Sequence, residues 1–323
     1  MKAIRMEQTG GPDVMTLVDV DTPTPGDDEI LIAQAAAGLN YIDVYHRSGL
    51  YPVPLPSGVG LEGAGVVEAV GAAVTGLAVG DRVAYCTGPI GAYAEKHVIK
   101  AATAAKLPDE IDFETAAGMM LKGCTAEYLV RRTYPVQRGD WVLFHAAAGG
   151  VGLIAGQWLR ALGAHSIGTA GSDEKCALAK AHGFDHVINY STENFAERVQ
   201  DITDGKGVHV VYDGVGAATF DGSINSLRPR GMMVSYGNAS GPVSALDTGI
   251  LAQKGSLYLT RPTLFTYYAS ETDAQAGFSS LFDVVTRGDV SIKIEQRYGL
   301  GDASQAHTDL EGRKTVGSTI LLP

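Results

Sequence analysis

Hydrophobic and polar positions change rhythm along this chain of 323 residues at about Thr125. Before that point the apolar runs are short and separated by Gly and Pro, at residues 3–7, 29–37, 65–70, 82–85 and 93–99, a pattern that predicts antiparallel β structure. Turn clusters at 22–26 and 52–56 mark rigid or exposed loops, where ligand-facing residues tend to lie. Beyond Thr125, short and mostly apolar segments at Trp141, Ser166, His186, Val208, Met232 and Leu257 alternate with helical patterns. That alternation predicts a parallel sheet covered on both faces. A helical stretch over 268–286 and terminal strands ending in 317–323 have no place in such a sheet, so the end of the chain should return to the first domain.

One segment of the second part carries chemistry. Residues 141–144 form an apolar run that leads through His145 into the turn Ala146-Ala147-Ala148-Gly149-Gly150-Val151-Gly152, and apolar residues then recur at Val151, Ile154, Ala155, Trp158, Leu159 and Leu162, the spacing of a buried helix face. A strand, a glycine turn and a helix in that order form a dinucleotide-binding signature. The unpaired N–H groups of the helix N-terminus carry partial positive charge and can take a pyrophosphate without a basic side chain. The fingerprint G-x-G-x-x-G reads A-x-G-x-x-G here, with Ala147 first. A glycine turn alone is often only a tight connection; the alternating strands and helices that follow favour the cofactor reading.

An NAD-specific protein places an Asp or Glu about 20 residues after the turn, at the tip of the next strand. Here that strand, near 165–169, runs into Ala170-Gly171-Ser172. Lys175 follows, and Tyr190 closes the strand after it, a cation and a hydroxyl suited to a 2′-phosphate. NADPH is therefore expected over NADH. The competing reading leaves Lys175 as a solvated residue of a helical first turn beside Asp173 and Glu174.

Length and composition narrow the classes. A chain of this size defaults to two domains, and 45% hydrophobic against 19% charged residues leaves little room for disorder. A net charge of −11 repels phosphate backbones and anionic membranes, so nucleic acid is not expected as a partner. No apolar leader opens the chain, and no stretch approaches the roughly 20 apolar residues of a transmembrane helix, which points to the cytoplasm. Cys86, Cys124 and Cys176 are odd in number and widely spaced, against a disulfide framework.

The stretches Gly38-Leu-Asn40-Tyr41-Ile-Asp43-Val-Tyr45-His-Arg47-Ser-Gly-Leu-Tyr51, Gly60-Leu61-Glu62, Gly80-Asp81-Arg82-Val83, His145 to Gly152 and Val234-Ser-Tyr236-Gly237-Asn238 resemble the medium-chain dehydrogenase/reductase superfamily. More narrowly they are similar to its zinc-independent NADPH:quinone oxidoreductase branch, related to zeta-crystallin. Leu121-Lys122-Gly123, Lys254-Gly-Ser256 and Thr260-Arg261-Pro262 extend the likeness essentially end to end. The resemblance implies an α/β chain: a GroES-like, mainly antiparallel β catalytic domain over 1–124, a Rossmann-type doubly wound parallel sheet domain over 125–262, and a return to the catalytic domain over 263–323. It also implies a homodimer joined edge to edge through the Rossmann sheets.

Zinc-dependent members read Gly-His-Glu where this chain has Leu61, which cannot ligate a metal, and the scattered cysteines offer no cluster. His46, His97 and His145 lack ligand spacing and are expected to be surface or hydrogen-bonded. Without a Lewis acid, hydride must go to an acceptor that is already electrophilic, a small quinone or an activated alkene. The resemblance places the nicotinamide in the interdomain cleft near Asn40, Tyr41, Asp43 and Thr125. It sets Asn40 and Tyr45 over the substrate, with Arg47 and Tyr51 at the rim. Packing between domains is the competing role for Tyr45. Lys122 either contacts the cofactor or balances a carboxylate such as Asp43. The glycine turn contributes Ala148, Gly149, Gly150 and Val151; the strand-end loops contribute Gly171, Ser172, Val215, Gly216, Tyr236, Gly237 and Asn238. Ser240, Arg261 and Arg313 are further candidates, the arginines as bidentate phosphate partners or as salt-bridge residues. Enone or alkenal reduction, and NADPH binding in a structural or RNA-binding role without turnover, are the rival functions.

Overall fold

The computed structural model describes residues 1–323 as two compact units. Unit 1 comprises Met1–Cys124, Tyr268–Thr286 and Ile292–Pro323; unit 2 comprises Thr125–Tyr267 and Arg287–Ser291. The first stretch of chain carries β1 (Lys2–Met6), β2 (Thr16–Asp19), β3 (Glu29–Leu39), α1 (Tyr41–Ser48), β4 (Ser57–Gly58), β5 (Glu62–Val70), β6 (Arg82–Tyr85), β7 (Lys96–Lys100), β8 (Ala104–Lys106) and α2 (Phe113–Glu127). The middle carries β9 (Trp141–Phe144), α3 (Gly150–Leu162), β10 (His165–Ala170), α4 (Asp173–Ala181), β11 (His186–Asn189), α5 (Phe195–Ile202), β12 (Val208–Asp213), α6 (Phe220–Ser226), β13 (Leu227–Ser235), α7 (Gly249–Gln253), β14 (Tyr258–Thr260) and α8 (Leu264–Tyr267). The end adds α9 (Glu271–Thr286), β15 (Ile294–Gly299), α10 (Ala303–Glu311) and β16 (Ser318–Leu322).

Unit 2 is built on one parallel sheet with strand order β11-β10-β9-β12-β13-β14, the doubly wound order whose direction reverses between its first and fourth strands, here β9 and β12. Val142, Leu143 and Phe144 are all fully buried, as a central strand covered on both faces requires. Leu143, Ile167, Val211 and Met233 from four strands pack with Phe220 and Ile224 of α6 and Val199 of α5 into one core. Truncating such a residue, Leu143→Ala for example, costs about 2–5 kcal/mol.

Helix α3 is buried nearly all round, from Gly152 to Leu159, where the spacing predicted a single apolar face. The cause is tertiary. Gly156 lets the turn at His182–Phe184 approach closely, and the buried Gln157 amide donates to Ser291 O at 3.0 Å while accepting Ser291 N–H at 2.9 Å. That reciprocal pair ties residues 287–291 to unit 2. Tyr267 also stays with unit 2, because its ring stacks on Tyr128 with centroids 4.7 Å apart.

Unit 1 holds a three-stranded sheet, β2-β1-β4, and a seven-stranded one in which β15-β16-β3-β5-β6-β8 run in order with β7 also on β3. All its pairings are antiparallel except β15 with β16. The C-terminal β16 pairs with β3, so the chain's end completes the first sheet. α9 packs on α2, where the Leu281 methyls fill the space left by Gly123. This helix starts three residues later than the pattern predicted, because Ser270 Oγ accepts the Asp273 N–H at 3.1 Å and caps it. The strand expected over 93–99 shrinks to β7, since the Gln34 side chain takes the carbonyls of Ala92 and Ala94.

Candidate functional site

In unit 2 the predicted turn and loops sit at the C-terminal ends of adjacent strands. After β9 the left-handed turn conformation falls on Ala146, with φ of 55°. The first reach-back bond of α3 runs from Leu153 N–H to Gly149 O, leaving the N–H groups of Gly150, Val151 and Gly152 directed out of the helix N-terminus, with Ala148 buried beneath. Gly152 is required, since a Cβ there would come within 2.5 Å of Ala146 O and 2.6 Å of Ala147 O. Ala147 is tolerated at the first fingerprint position because its methyl faces Gly168 on β10; a Cβ on Gly168 would approach it to 2.7 Å.

After β10, Ser172 caps α4 by accepting the Lys175 N–H at 3.3 Å. Tyr190 is 42% exposed and lays its hydroxyl over Gly171, 2.6 Å from where a Cβ would be. Ser191 Oγ donates to Gly171 O, and Asp173 is drawn aside by Asn189 Nδ2 at 2.8 Å. Gly171, Ser172, Lys175 and Tyr190 therefore share one corner; no Asp or Glu ends the strand itself, and the Glu174 carboxylate takes a hydrogen bond from the Ser172 side chain.

After β12, Gly216 has φ of 95° and leaves room for Gly241 O, while Gly237 does the same for Gly214 O. Tyr236 N–H donates to Asp213 O, and its ring packs against Phe144. Asn238 is half-buried and follows in the same loop. Ser240 staples the two loops: its hydroxyl donates to Val215 O at 2.9 Å and accepts Ala218 N–H at 3.0 Å. Arg261 is exposed at the end of β14, with Nη1 donating to Pro262 O. Arg313 belongs to unit 1, exposed with φ of 58°.

Unit 1 gathers the α1 residues over a buried polar chain. Asn40 caps α1, and its Nδ2 donates to Glu62 Oε2 at 2.7 Å. Asp43 Oδ2 accepts the Asn40 N–H at 2.8 Å and the Tyr93 hydroxyl at 2.9 Å, while the buried Oδ1 has no partner. Burial pushes the Asp43 carboxyl up to about 7, opposed by those two donors and by Lys122. Tyr93 in turn meets His307 Nε2 at 3.3 Å, and His307 Nδ1 lies 3.3 Å from Arg47. Burial and the Arg47 charge together hold His307 down at about 3.

One expectation needs correcting. Arg47 is not at a rim: it is 2% exposed, with Nη2 paired to Glu311 at 2.8 Å, so its charge is spent inside the fold. Lys122 pairs with the carboxylate of Glu62 at 3.1 Å, both partners being buried, and its charge also bears on Asp43. His97 and His145 are buried and hydrogen-bonded: His97 Nε2 donates to Pro89 O at 3.0 Å, with burial holding the ring down at about 4, and both His145 nitrogens have hydroxyl partners, whereas the buried His46 leaves Nδ1 without one. Tyr45 is 8% exposed, its ring against Tyr41 at 5.5 Å and Tyr51 at 5.0 Å; Tyr41 and Tyr51 are half-buried. Thr125 is buried in the last turns of α2. Glu62, Tyr93 and His307 were missed as partners of this site. The sequence flagged Glu62 only within a motif and gave no signal for the other two.

Residues 26–138 match the family model of the alcohol dehydrogenase GroES-like domain, and residues 150–276 that of the zinc-binding dehydrogenase. A quinone oxidoreductase of Pseudomonas aeruginosa is 54% identical over 323 residues, 100% of this chain and 99% of the relative. The crystal structure of Escherichia coli quinone oxidoreductase complexed with NADPH is 47% identical with a TM-score of 0.99, covering 100% of both chains. A 2-haloacrylate reductase of a Burkholderia species is 43% identical over 328 residues, 98% of each chain. Zinc in the second family description does not fit these residues: Leu61 is buried where a ligand would stand, and no three His, Cys, Asp or Glu side chains converge on a metal position. The chain belongs to the zinc-independent quinone oxidoreductase branch of the medium-chain dehydrogenase/reductase superfamily.

Proposed function

We propose that this chain is an NADPH-dependent reductase of small quinones that works without a metal. The observation that carries the reading is the full-length 54% identity to a quinone oxidoreductase. The strand ends of unit 2 fit the cofactor: open N–H groups at α3 would donate to a pyrophosphate, and the Ser172, Lys175 and Tyr190 corner would donate to a 2′-phosphate. Val215, Gly216, Tyr236, Gly237 and Asn238 border the remaining strand ends, and Arg261 and Arg313 are further phosphate partners. When bound, NADPH supplies a hydride, which with one proton takes a quinone to the hydroquinone.

The protein's contribution is orientation and exclusion of water. Glu62 and the capping contacts of α1 fix the Asn40 amide, and Tyr41, Tyr45 and Tyr51 offer an aromatic wall for a flat acceptor. Reduction of an activated C=C bond is the second reading, favoured by the 43% identity to a 2-haloacrylate reductase. We further propose a cytoplasmic homodimer. No helix is long and apolar enough to cross a membrane, and β14 leaves an edge of the parallel sheet open to pairing.

The test mixes purified protein with NADPH or NADH and 1,4-benzoquinone, 9,10-phenanthrenequinone or a simple enone, following nicotinamide absorbance. NADPH-selective quinone reduction is expected. Turnover of the enone alone selects the second reading, and NADPH binding without any turnover overturns both.

A further inference from the structure

Beneath the loops that follow β9, β10 and β12 runs a row of buried polar side chains that the cofactor reading does not use. Thr169 Oγ1 lies 2.8 Å from His145 Nδ1, His145 Nε2 lies 2.9 Å from Ser223 Oγ, and Ser223 Oγ lies 2.8 Å from Asp213 Oδ2. Asp213 also receives the N–H groups of Val215 at 2.8 Å and Gly216 at 3.0 Å on Oδ1, and the Thr219 hydroxyl on both oxygens. The Phe195 ring edge closes over His145, with centroids 4.9 Å apart.

Only one direction of hydrogen bonding satisfies every contact. Donors surround Asp213, so its carboxylate accepts throughout. The single Ser223 proton goes to Asp213, which makes Ser223 Oγ the acceptor for His145. The ring must then carry its proton on Nε2 and accept the Thr169 hydroxyl at Nδ1. Burial holds the His145 imidazole below its ordinary value, with the Asp213 charge opposing, in keeping with a neutral ring.

Placement gives the row its meaning. His145 joins β9 to the glycine turn, Thr169 stands two residues before Gly171, and Asp213 ends β12 and pins the next loop by its backbone. β9 and β12 are the strands between which the sheet order reverses, where open α/β sheets bind ligands. We propose that Thr169, His145, Ser223 and Asp213 form a directional positioning relay that locks the three cofactor loops into one platform for NADPH. The proposal rests on the cofactor reading given above. These are positioning residues: they act through the loops they hold.

Long-range proton–nitrogen NMR of the histidine rings, with H145Q identifying the signal, reads the relay in the wild type. Nε2–H is expected; Nδ1–H overturns the proposal without any variant. In D213N the amide can donate to Ser223, which then donates to His145 and moves the ring proton to Nδ1; an unchanged tautomer counts against the relay. S223A and T169V interrupt the row at two points while leaving the Asp213 anchor. Each should weaken NADPH binding roughly tenfold, the scale of one lost buried hydrogen bond. KM for NADPH should rise while kcat at saturating NADPH stays within about twofold, a split that general destabilisation does not produce. Folded S223A and T169V with wild-type NADPH affinity would overturn the relay. Absence of NADPH binding by the wild type would instead sink the cofactor reading, whichever tautomer His145 shows.

Discussion

Asp43 combines complete burial, two donors on one oxygen and none on the other, and its consequence for stability has a definite sign. With its folded value raised from 3.8 to about 7, the folded protein keeps a proton that the unfolded chain releases. Its contribution is therefore present at low pH and is lost as pH rises through that window. His307, held down at about 3, works in the opposite sense below its ordinary 6.5, so the two must be separated. Denaturant unfolding of wild type and D43N from pH 4.5 to 8 does so: their difference should move against the wild type by up to about 1.4 kcal/mol per pH unit and level off above 7. Glu62, Lys122 and Tyr93 are the titratable groups that face the carboxyl, and they are common to both proteins. Breaking the Lys122–Glu62 pair is a separate matter. K122M should cost about 3–5 kcal/mol in thermal or denaturant unfolding, with E62Q added to it restoring much of the loss, because the single change strands a buried charge. At the cofactor corner, K175A and Y190F should each lower the NADPH-over-NADH ratio of kcat/KM about tenfold while leaving NADH turnover nearly unchanged. Asn40 and Asp43 were named through the resemblance alone, although their contact lies within one helical turn. Tyr93 and His307 were not, since contacts spanning 50 and 214 residues leave no local pattern.

At the scale of elements, the substitution of Ala147 for the first fingerprint glycine is paired with a glycine on the neighbouring strand. G168A should cost about 1–3 kcal/mol through overpacking against the Ala147 methyl, and A147G in the same chain should recover part of it. Recovery is incomplete because Phe184 also borders Gly168, with ring atoms at 3.2 Å. Thermal unfolding of the two single variants and the double variant checks the coupling. Parallel strands were readable from the sequence because burial on both faces gives continuous apolar runs, and the segment expected at Val208 emerged as the strand Val208–Asp213. Antiparallel segments were read less closely. β7 lost its first residues to Gln34, a side chain 58 residues away from the Ala92 carbonyl it occupies.

For the whole molecule, the proposed dimer makes β14 the decisive edge. Tyr258 on that strand is 59% exposed, and the chain mass is 33.8 kDa. Sedimentation should give twice that mass, and Y258D should shift the population toward the single chain, since a charge on an edge strand opposes pairing. The sequence by itself determined the two regimes of secondary structure, the glycine turn, the missing carboxylate at the second strand tip and the absence of a zinc ligand at Leu61. Each is written in residues that are close along the chain, where periodicity and turn chemistry act. Tertiary structure decided the rest: the burial of Arg47 against Glu311, the choice of Glu62 as the partner of Lys122, the capture of Ser291 by Gln157, and the row from Thr169 to Asp213. Buried polar groups must find partners wherever the packed fold brings them, and that matching is settled by which elements meet in space rather than by spacing along the chain.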